Sequence, residues 1–152
     1  MTKEQFDAYL RDAVREYADA HLKAGDCEPA EALPKAQADY DALLPEGVQT
    51  RHQHLFALRD DAAARDVGMI WFAFKQGVEP PKPAFIFDLR IDADLRGKGY
   101  GRAALASFER VAREMGVRKV ALNVFGWNRV ARALYETAGY EVTSIGMVKV
   151  LA

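Results

Sequence analysis

Cysteine and histidine are scarce in this chain: one cysteine, Cys27, and three histidines among 152 residues. A single thiol cannot close an internal disulfide, and so few thiolate and imidazole ligands argue against a disulfide scaffold or a cysteine-based zinc module; a reducing compartment fits best. Long apolar runs are also missing. The longest, Met69 to Phe74, falls far short of the roughly 20 residues a membrane-spanning helix needs. The amino terminus, Met1-Thr2-Lys3-Glu4-Gln5-Phe6-Asp7, mixes both charge signs and has neither the apolar stretch nor the small-residue cleavage site of a secretory signal. These absences lead to the expectation of a cytoplasmic protein without a membrane segment. An excess of one charge is lacking too: 21 basic against 22 acidic side chains leave a net charge of −1, and no concentrated basic stripe marks a nucleic-acid interface.

What is present is sufficient for one compact domain. A chain of this size buries roughly two thirds of its unfolded surface without disulfides or a structural metal, and half of its residues are apolar. The near-zero charge conceals an asymmetry about the proline cluster Pro80-Pro81-Lys82-Pro83. Residues 1 to 82 carry 10 basic and 15 acidic groups (−5), whereas residues 83 to 152 carry 11 and 7 (+4). The second half has the balance expected of a polyphosphate-binding segment, although solvated surface alone accounts for such an excess.

Apolar spacing of three and four from Lys3 to Leu22, through Phe6, Leu10, Ala13, Val14, Tyr17 and Ala18, predicts an amphipathic helix capped by Thr2. A second helical pattern runs from about Pro29 to Leu44, with an interruption expected near Pro34. Residues 1 to 47 are thus read as a helical region. Gln53 to Leu58 and Val67 to Lys75 read as strands, residues 76 to 83 as a loop, and Ala84 to Ile91 as a further strand. A helix follows, with Ala104, Leu105, Phe108, Val111, Ala112 and Met115 on its buried face and Gly116 as its left-handed terminator. Lys119 to Phe125 is read as a strand, Asn128 to Thr137 as a short helix, and Tyr140 to Thr143 and Met147 to Leu151 as two closing strands. The succession of strand, helix and strand implies a parallel pair with a right-handed crossover.

The turn Arg96-Gly97-Lys98-Gly99-Tyr100-Gly101 lies between a strand and a helix. Alternate glycines let several N–H groups converge on one concavity, an anion nest, and the helix start adds its unpaired amides and dipole. Arg96, Lys98 and Arg102 add full charges, so a pyrophosphate fits there. A Walker loop needs four residues between its first glycine and a Gly-Lys-Ser/Thr, and no such sequence is present. A dinucleotide fingerprint needs Gly-x-Gly-x-x-Gly, whereas the spacing here is Gly-x-Gly-x-Gly, and no acidic residue ends the following strand. ATP or GTP hydrolysis and NAD binding are therefore disfavoured.

The same turn resembles the Arg/Gln-x-x-Gly-x-Gly/Ala signature of the Gcn5-related N-acetyltransferases (GNAT family). Asn128-Arg129-Val130-Ala131-Arg132-Ala133-Leu134-Tyr135-Glu136-Thr137-Ala138-Gly139-Tyr140 resembles that family's Asn-x-x-Ala-x-x-Leu-Tyr-x-x-x-Gly-Phe/Tyr segment, in the right order and distance. The resemblance implies an α/β fold with a mixed, mostly antiparallel six- or seven-stranded sheet, a central parallel pair and flanking helices. It implies a single domain over residues 1–152, with residues 84–151 as the acetyl-coenzyme A-binding core and residues 1–47 as the acceptor side. The family's usual opening strand before the first helix is missing, truncated or replaced, because helical periodicity starts within five residues.

By that resemblance, the backbone of Leu89 and Ile91 would pair with the pantetheine arm. Arg96, Gly97, Lys98, Gly99, Tyr100, Gly101 and Arg102 would bind the pyrophosphate, and Asn128, Ala131 and Tyr135 would contact the cofactor. Asn128 and Tyr135, seven positions apart, share one side of their helix, and Asn128 also suits its cap. Tyr135 is the candidate general acid for the departing thiolate, and Asp88 is the candidate base, with Glu31, His52 and His54 as further choices. No metal is assigned. Trp71, Phe72, Phe74, Phe85 and Phe87 read as core aromatics with an edge available to the acceptor. The expected activity is acetyl transfer from acetyl-coenzyme A to a primary amine of a small molecule, peptide or protein by direct attack. The competing expectation is a non-catalytic acetyl-coenzyme A sensor or interaction domain. The expected partners are that amine and, by base rate for soluble enzymes, a second copy in a homodimer; nucleic acid and membrane are not expected.

Overall fold

A computed structural model describes residues 1–75, 77 and 82–151. The chain opens with helix α1 (Lys3–Ala24). Its start is a capping box: the Thr2 hydroxyl accepts from the Gln5 N–H at 3.2 Å, and the Thr2 N–H donates to Gln5 Oε1 at 2.8 Å, which satisfies two otherwise unpaired donors. Thr2→Ala is expected to cost about 1 kcal/mol, read as a lower urea midpoint with unchanged slope. The helix ends at Gly25, whose φ of 75° is left-handed.

Helix α2 (Pro29–Leu43) runs through Pro34 without a break, which corrects the expected interruption. Pro34 removes one intrahelical donor, but Ala32, Ala36 and Tyr40, four residues apart, stay buried along one line. Packing of that line against α1 holds the helix together.

Four strands follow: β1 (Gln53–Asp60), β2 (Arg65–Ala73), β3 (Ala84–Ile91) and β4 (Val120–Leu122). They form one sheet in the order β1-β2-β3-β4, antiparallel except for the parallel pair β3–β4. Between β3 and β4 lies α3 (Tyr100–Glu114), and α4 (Arg129–Thr137) follows β4. Met69 and Trp71 of β2 pack with Phe6, Tyr9 and Ala13 of α1 on one face, while Ile70 and Phe72 pack with Leu105 and Phe108 of α3 on the other. The period-2 alternation of a strand buried on both faces accounts for the apolar run noted in the sequence.

Several expectations need correction. The sheet has four strands among the described residues, not six or seven, and the parallel pair lies at its edge rather than its centre. Residues Tyr140 to Thr143 and Met147 to Leu151 form no strand; they extend without a ladder partner, so propensity there has nothing to pair with. For the same reason β4 is three residues long instead of spanning Lys119 to Phe125. No strand precedes α1 among the described residues, in keeping with the early helical periodicity. Most of the loop expected over residues 76 to 83 lies outside the described residues.

A bulge in β3 determines what the sheet presents. Trp71 pairs with Asp88 and Phe72 with Ile86, leaving Phe87 as an extra residue. Before it, Ala84 donates its N–H to the Lys119 carbonyl at 2.9 Å, so the even-numbered backbone groups face β4. An extra residue reverses that alternation. Beyond Phe87 the even positions face β2, as the Asp92 N–H donating to the Val67 carbonyl at 3.0 Å shows, and Leu89 and Ile91 turn their N–H and C=O groups the other way. β4 has already ended there.

Candidate active site

The site begins at this splay between β3 and β4. Beyond Ile86 the two strands no longer pair, and α4 lies alongside. Asn128 caps α4, its side-chain oxygen accepting from the Ala131 N–H at 3.1 Å. Two turns on, Tyr135 lies on the same side of the helix. Both line a cavity of about 780 Å³ that also touches Ala131, Asp88 and Leu89. The fold therefore brings together five of the residues singled out from the sequence.

Ile91 and the glycine turn lie outside that cavity's lining, one strand-end away. Gly97 and Gly99 have φ of 72° and 88°, a left-handed backbone that any Cβ would strain. Gly101 is different. It is helical, and a Cβ there would lie 3.1 Å from a methyl of Leu134, so its smallness lets α3 and α4 approach. Gly99 caps α3 without a side chain, and the first turn holds no acidic residue, so no carboxylate of that turn offsets the positive end of the helix dipole.

The cationic side chains of the turn do not all point to one spot. Arg96 Nε donates to the Ile91 carbonyl at 3.0 Å, and Lys98 Nζ to the Asp94 carbonyl at 2.9 Å, so both brace the turn itself. Tyr100 donates its hydroxyl to Asp60 at 2.7 Å, tying the turn to the end of β1. Arg102 is exposed on the first turn of α3.

Tyr135 is pushed up to about 12, first by burial and then by the negative charge of Asp88. It remains a neutral phenol throughout the neutral range. Asp88 accepts the Tyr9 hydroxyl at 2.9 Å and lies 3.4 Å from Arg90, which reaches Glu16 of α1 at 3.0 Å. Burial raises Tyr9 well above the ordinary tyrosine range, with the Asp88 charge adding to it. Tyr9 is thus a fixed donor to that carboxylate.

The cavity's other wall comes from α1 and α2. Glu16, Asp19, Asp39 and Asp88 set four carboxylates against the two permanent cations Lys23 and Arg90. The Lys23 ammonium sits 3.9 Å above the Trp127 ring, a cation on an aromatic face. His21 also lines this wall; its Nδ1 is 2.7 Å from Asp26 Oδ1, and its ring edges against Tyr17 and Phe125. Sequence reading assigned no site role to His21, Tyr9 or Trp127, whereas Arg90 is legible as an ion-pair partner for Asp88 two residues away on the strand, and the two lie 3.4 Å apart. The signal for His21 was its position at the helix end five residues before Asp26, but nothing local says that α1 faces the end of β3.

Glu31, His52 and His54 do not line the cavity. His52 precedes β1 with φ of 64°, and His54 stacks on Phe72 at 4.9 Å, so the two do not form one ligand face. No cluster of metal-ligating side chains occurs among the described residues, and no described helix is long and apolar enough to cross a membrane. Phe72 and Phe74 are core, whereas Trp71, Phe85 and Phe87 also border the cavity.

A family model described as "Acetyltransferase (GNAT) family" matches residues 11–140. The chain belongs to the GNAT acetyltransferase family. An uncharacterized N-acetyltransferase of Bacillus subtilis, YycN, is 38% identical over 152 residues, covering 99% of this chain and 96% of that one. A second from the same organism, YdgE, is 32% identical over 151 residues, covering 99% and 95%. The crystal structure of YycN superposes with a TM-score of 0.93 at 37% identity, covering 100% of this chain and 96% of that chain. An aminoglycoside N-acetyltransferase, AAC(6')-Iy, solved with coenzyme A, shares the fold at a TM-score of 0.54 and 17% identity over 88% of this chain and 95% of that one. The resemblance read from the two sequence motifs therefore holds for the GNAT family as a whole.

Proposed function

We propose that this GNAT protein transfers the acetyl group of acetyl-coenzyme A to a cationic amine by direct attack within a ternary complex. The observation that carries this reading is a single cavity with two unlike walls: Leu89, Asn128, Ala131 and Tyr135 on one side, and the carboxylates of α1, α2 and Asp88 on the other. The coenzyme's amide-bearing arm suits the backbone of Leu89 and Ile91, which would extend the sheet. Its pyrophosphate suits the amides of Gly97 to Gly101 and the start of α3, with Arg96, Lys98, Tyr100 and Arg102 as the surrounding shell. Coenzyme A in the AAC(6')-Iy structure supports acetyl-coenzyme A as the co-substrate. Most of the acceleration then comes from holding two reactants in line.

The amine arrives as an ammonium with a pKa near 10.4 if it resembles lysine, and must lose a proton before attack. Asp88 takes that proton, and the amine nitrogen attacks the thioester carbonyl. The C–S bond breaks as the departing thiolate accepts a hydrogen bond from the Tyr135 hydroxyl, and the second proton that the nitrogen sheds on becoming an amide neutralises the sulfur through solvent. The two carboxylate and phenol events are coupled. The charge on Asp88 is one cause of the raised Tyr135 value, so protonating Asp88 makes Tyr135 a stronger acid just as the sulfur departs.

The test is thiol release from acetyl-coenzyme A across a panel of mono- and polyamines. Amine-dependent release, best with acceptors of two or more positive charges, is the expected result. Tight cofactor binding without release would favour the sensor. Asp88→Asn is expected to lower kcat about 100-fold near neutral pH, with the deficit shrinking as pH rises and free amine becomes abundant. If His21→Gln gives that signature and Asp88→Asn does not, the base is His21.

A further inference from the structure

By simple strand alternation Asp88 should follow Ala84 and Ile86, whose side chains pack in the core under α3. A carboxylate buried there without a partner would be costly. The extra residue Phe87 prevents this. It sets Asp88 opposite Trp71, and directly opposed residues share a face of the sheet, so Asp88 comes to the α1 side, where Trp71 packs with Tyr9. Leu89, next along, packs with the α3 core again. The bulge therefore re-aims one side chain, a use that bulges beside functional sites often have.

On the α1 side two donors reach Asp88, and both reach the same oxygen. The Tyr9 hydroxyl donates to Oδ2 at 2.9 Å, and Nη2 of Arg90 lies 3.4 Å from that same Oδ2. Among the described residues no donor approaches Oδ1. The two holds are unequal. Arg90 is shared with Glu16 at the shorter distance of 3.0 Å, which leaves the longer and weaker contact for Asp88. Tyr9 is only 7% exposed, its ring is locked in the core between α1 and the sheet, and a hydroxyl so placed needs a partner.

Building on the proposal that Asp88 is the base, we infer that Tyr9 is its positioning residue: by occupying Oδ2 it fixes the carboxylate plane and leaves Oδ1 as the oxygen that takes the acceptor's proton. The terminal torsion of an aspartate is broad and roughly two-fold, so an unanchored carboxylate swings between orientations, of which few meet the ammonium in line. In the step itself an N–H bond of the ammonium breaks, its electron pair stays on nitrogen, and an O–H bond forms at Oδ1. Tyr9 keeps its own proton throughout, because burial holds the phenol neutral. Its hydrogen bond favours the charged carboxylate, so the arrangement gives up some basicity for a fixed aim.

The experiment is a double-mutant cycle on the full chain. Tyr9→Phe keeps the ring and the core and removes one oxygen. With the best acceptor of the amine panel it is expected to lower kcat about tenfold while KM for that acceptor stays within about twofold. In an Asp88→Asn background the same change is expected to alter kcat less than about twofold, since the anchor then has no base to aim. Equal losses in both backgrounds mark a merely structural role and overturn the inference. An unchanged kcat in Tyr9→Phe, beside the expected deficit in Asp88→Asn, overturns it while the base assignment stands. No deficit in Asp88→Asn removes the base assignment and this inference with it. A crystal structure of Tyr9→Phe gives a readout that needs no turnover: the Asp88 carboxylate plane is expected to be turned or split between two orientations, and an unmoved plane overturns the inference.

Discussion

Tyr135→Phe is expected to lower kcat about 100- to 1,000-fold, the range for loss of a positioned general acid, while the affinity for acetyl-coenzyme A changes little. The phenol sits on the cavity side of α4 and is held at about 12 by burial and by Asp88. Its proton is therefore in place at every working pH. Complete transfer to a free thiolate, whose conjugate acid has a pKa near 8.5, would be uphill by about 5 kcal/mol. The main contribution must then be a hydrogen bond that strengthens as negative charge grows on sulfur. Two measurements separate this from a packing role. Wild-type activity should show no alkaline loss attributable to Tyr135 below about pH 10, because a raised pKa keeps the phenol protonated there. In Asp88→Asn, the near-ultraviolet titration of Tyr135 should move below the wild-type value, since one of its two causes is gone. It should stay above an ordinary tyrosine, since burial is the larger cause. An unchanged titration would show that the two groups do not communicate, and the coupled step would fail.

Gly68→Ala should produce the largest loss of stability among single changes to a glycine. A Cβ at position 68 would lie 2.0 Å from the carbonyl oxygen of Arg90, and the obstacle is backbone, which cannot swing aside as a side chain can. A cost of about 3 kcal/mol is expected, or a fall in Tm of roughly 6–12 °C for a chain of this size. Gly101→Ala is the matched control. There the nearest atom, at 3.1 Å, is the end of the Leu134 side chain, and a small rotamer adjustment should hold the loss to about 1 kcal/mol. Comparable losses at the two positions would mean that the strands near Arg90 yield more easily than a paired ladder should. Gly68 pairs with Ile91, so the close approach that it allows also fixes the strand end from which the glycine turn departs.

The α1 cap, the left-handed Gly116 after α3 and the strand character of β2 with its core aromatics were legible because each rests on contacts a few residues apart or on a simple period. The glycine turn and the cap at Asn128 were legible for the same reason. Strand number was not. Tyr140 to Leu151 has strand composition, but a strand exists only where a partner edge is hydrogen-bonded to it, and that is a fact about chain direction rather than residue type. Pro34 likewise breaks a local rule that packing against α1 overrides.

The candidate site divides along the same line. Sequence alone determined the family, the glycine turn at Gly97 to Gly101 between strand and helix, and the pairing of Asn128 with Tyr135 on one helix side. Only the tertiary structure decided that Phe87 is an extra residue, that Leu89 and Ile91 consequently turn their amides to the gap, and that Arg96 and Lys98 brace their own turn. It alone set Tyr9 of α1 against Asp88 and placed Glu16 and His21 on the wall of the same cavity. The reason is physical: motif residues are neighbours in the chain, whereas an acceptor wall is assembled by helix-to-sheet packing across many tens of residues, which no local period records.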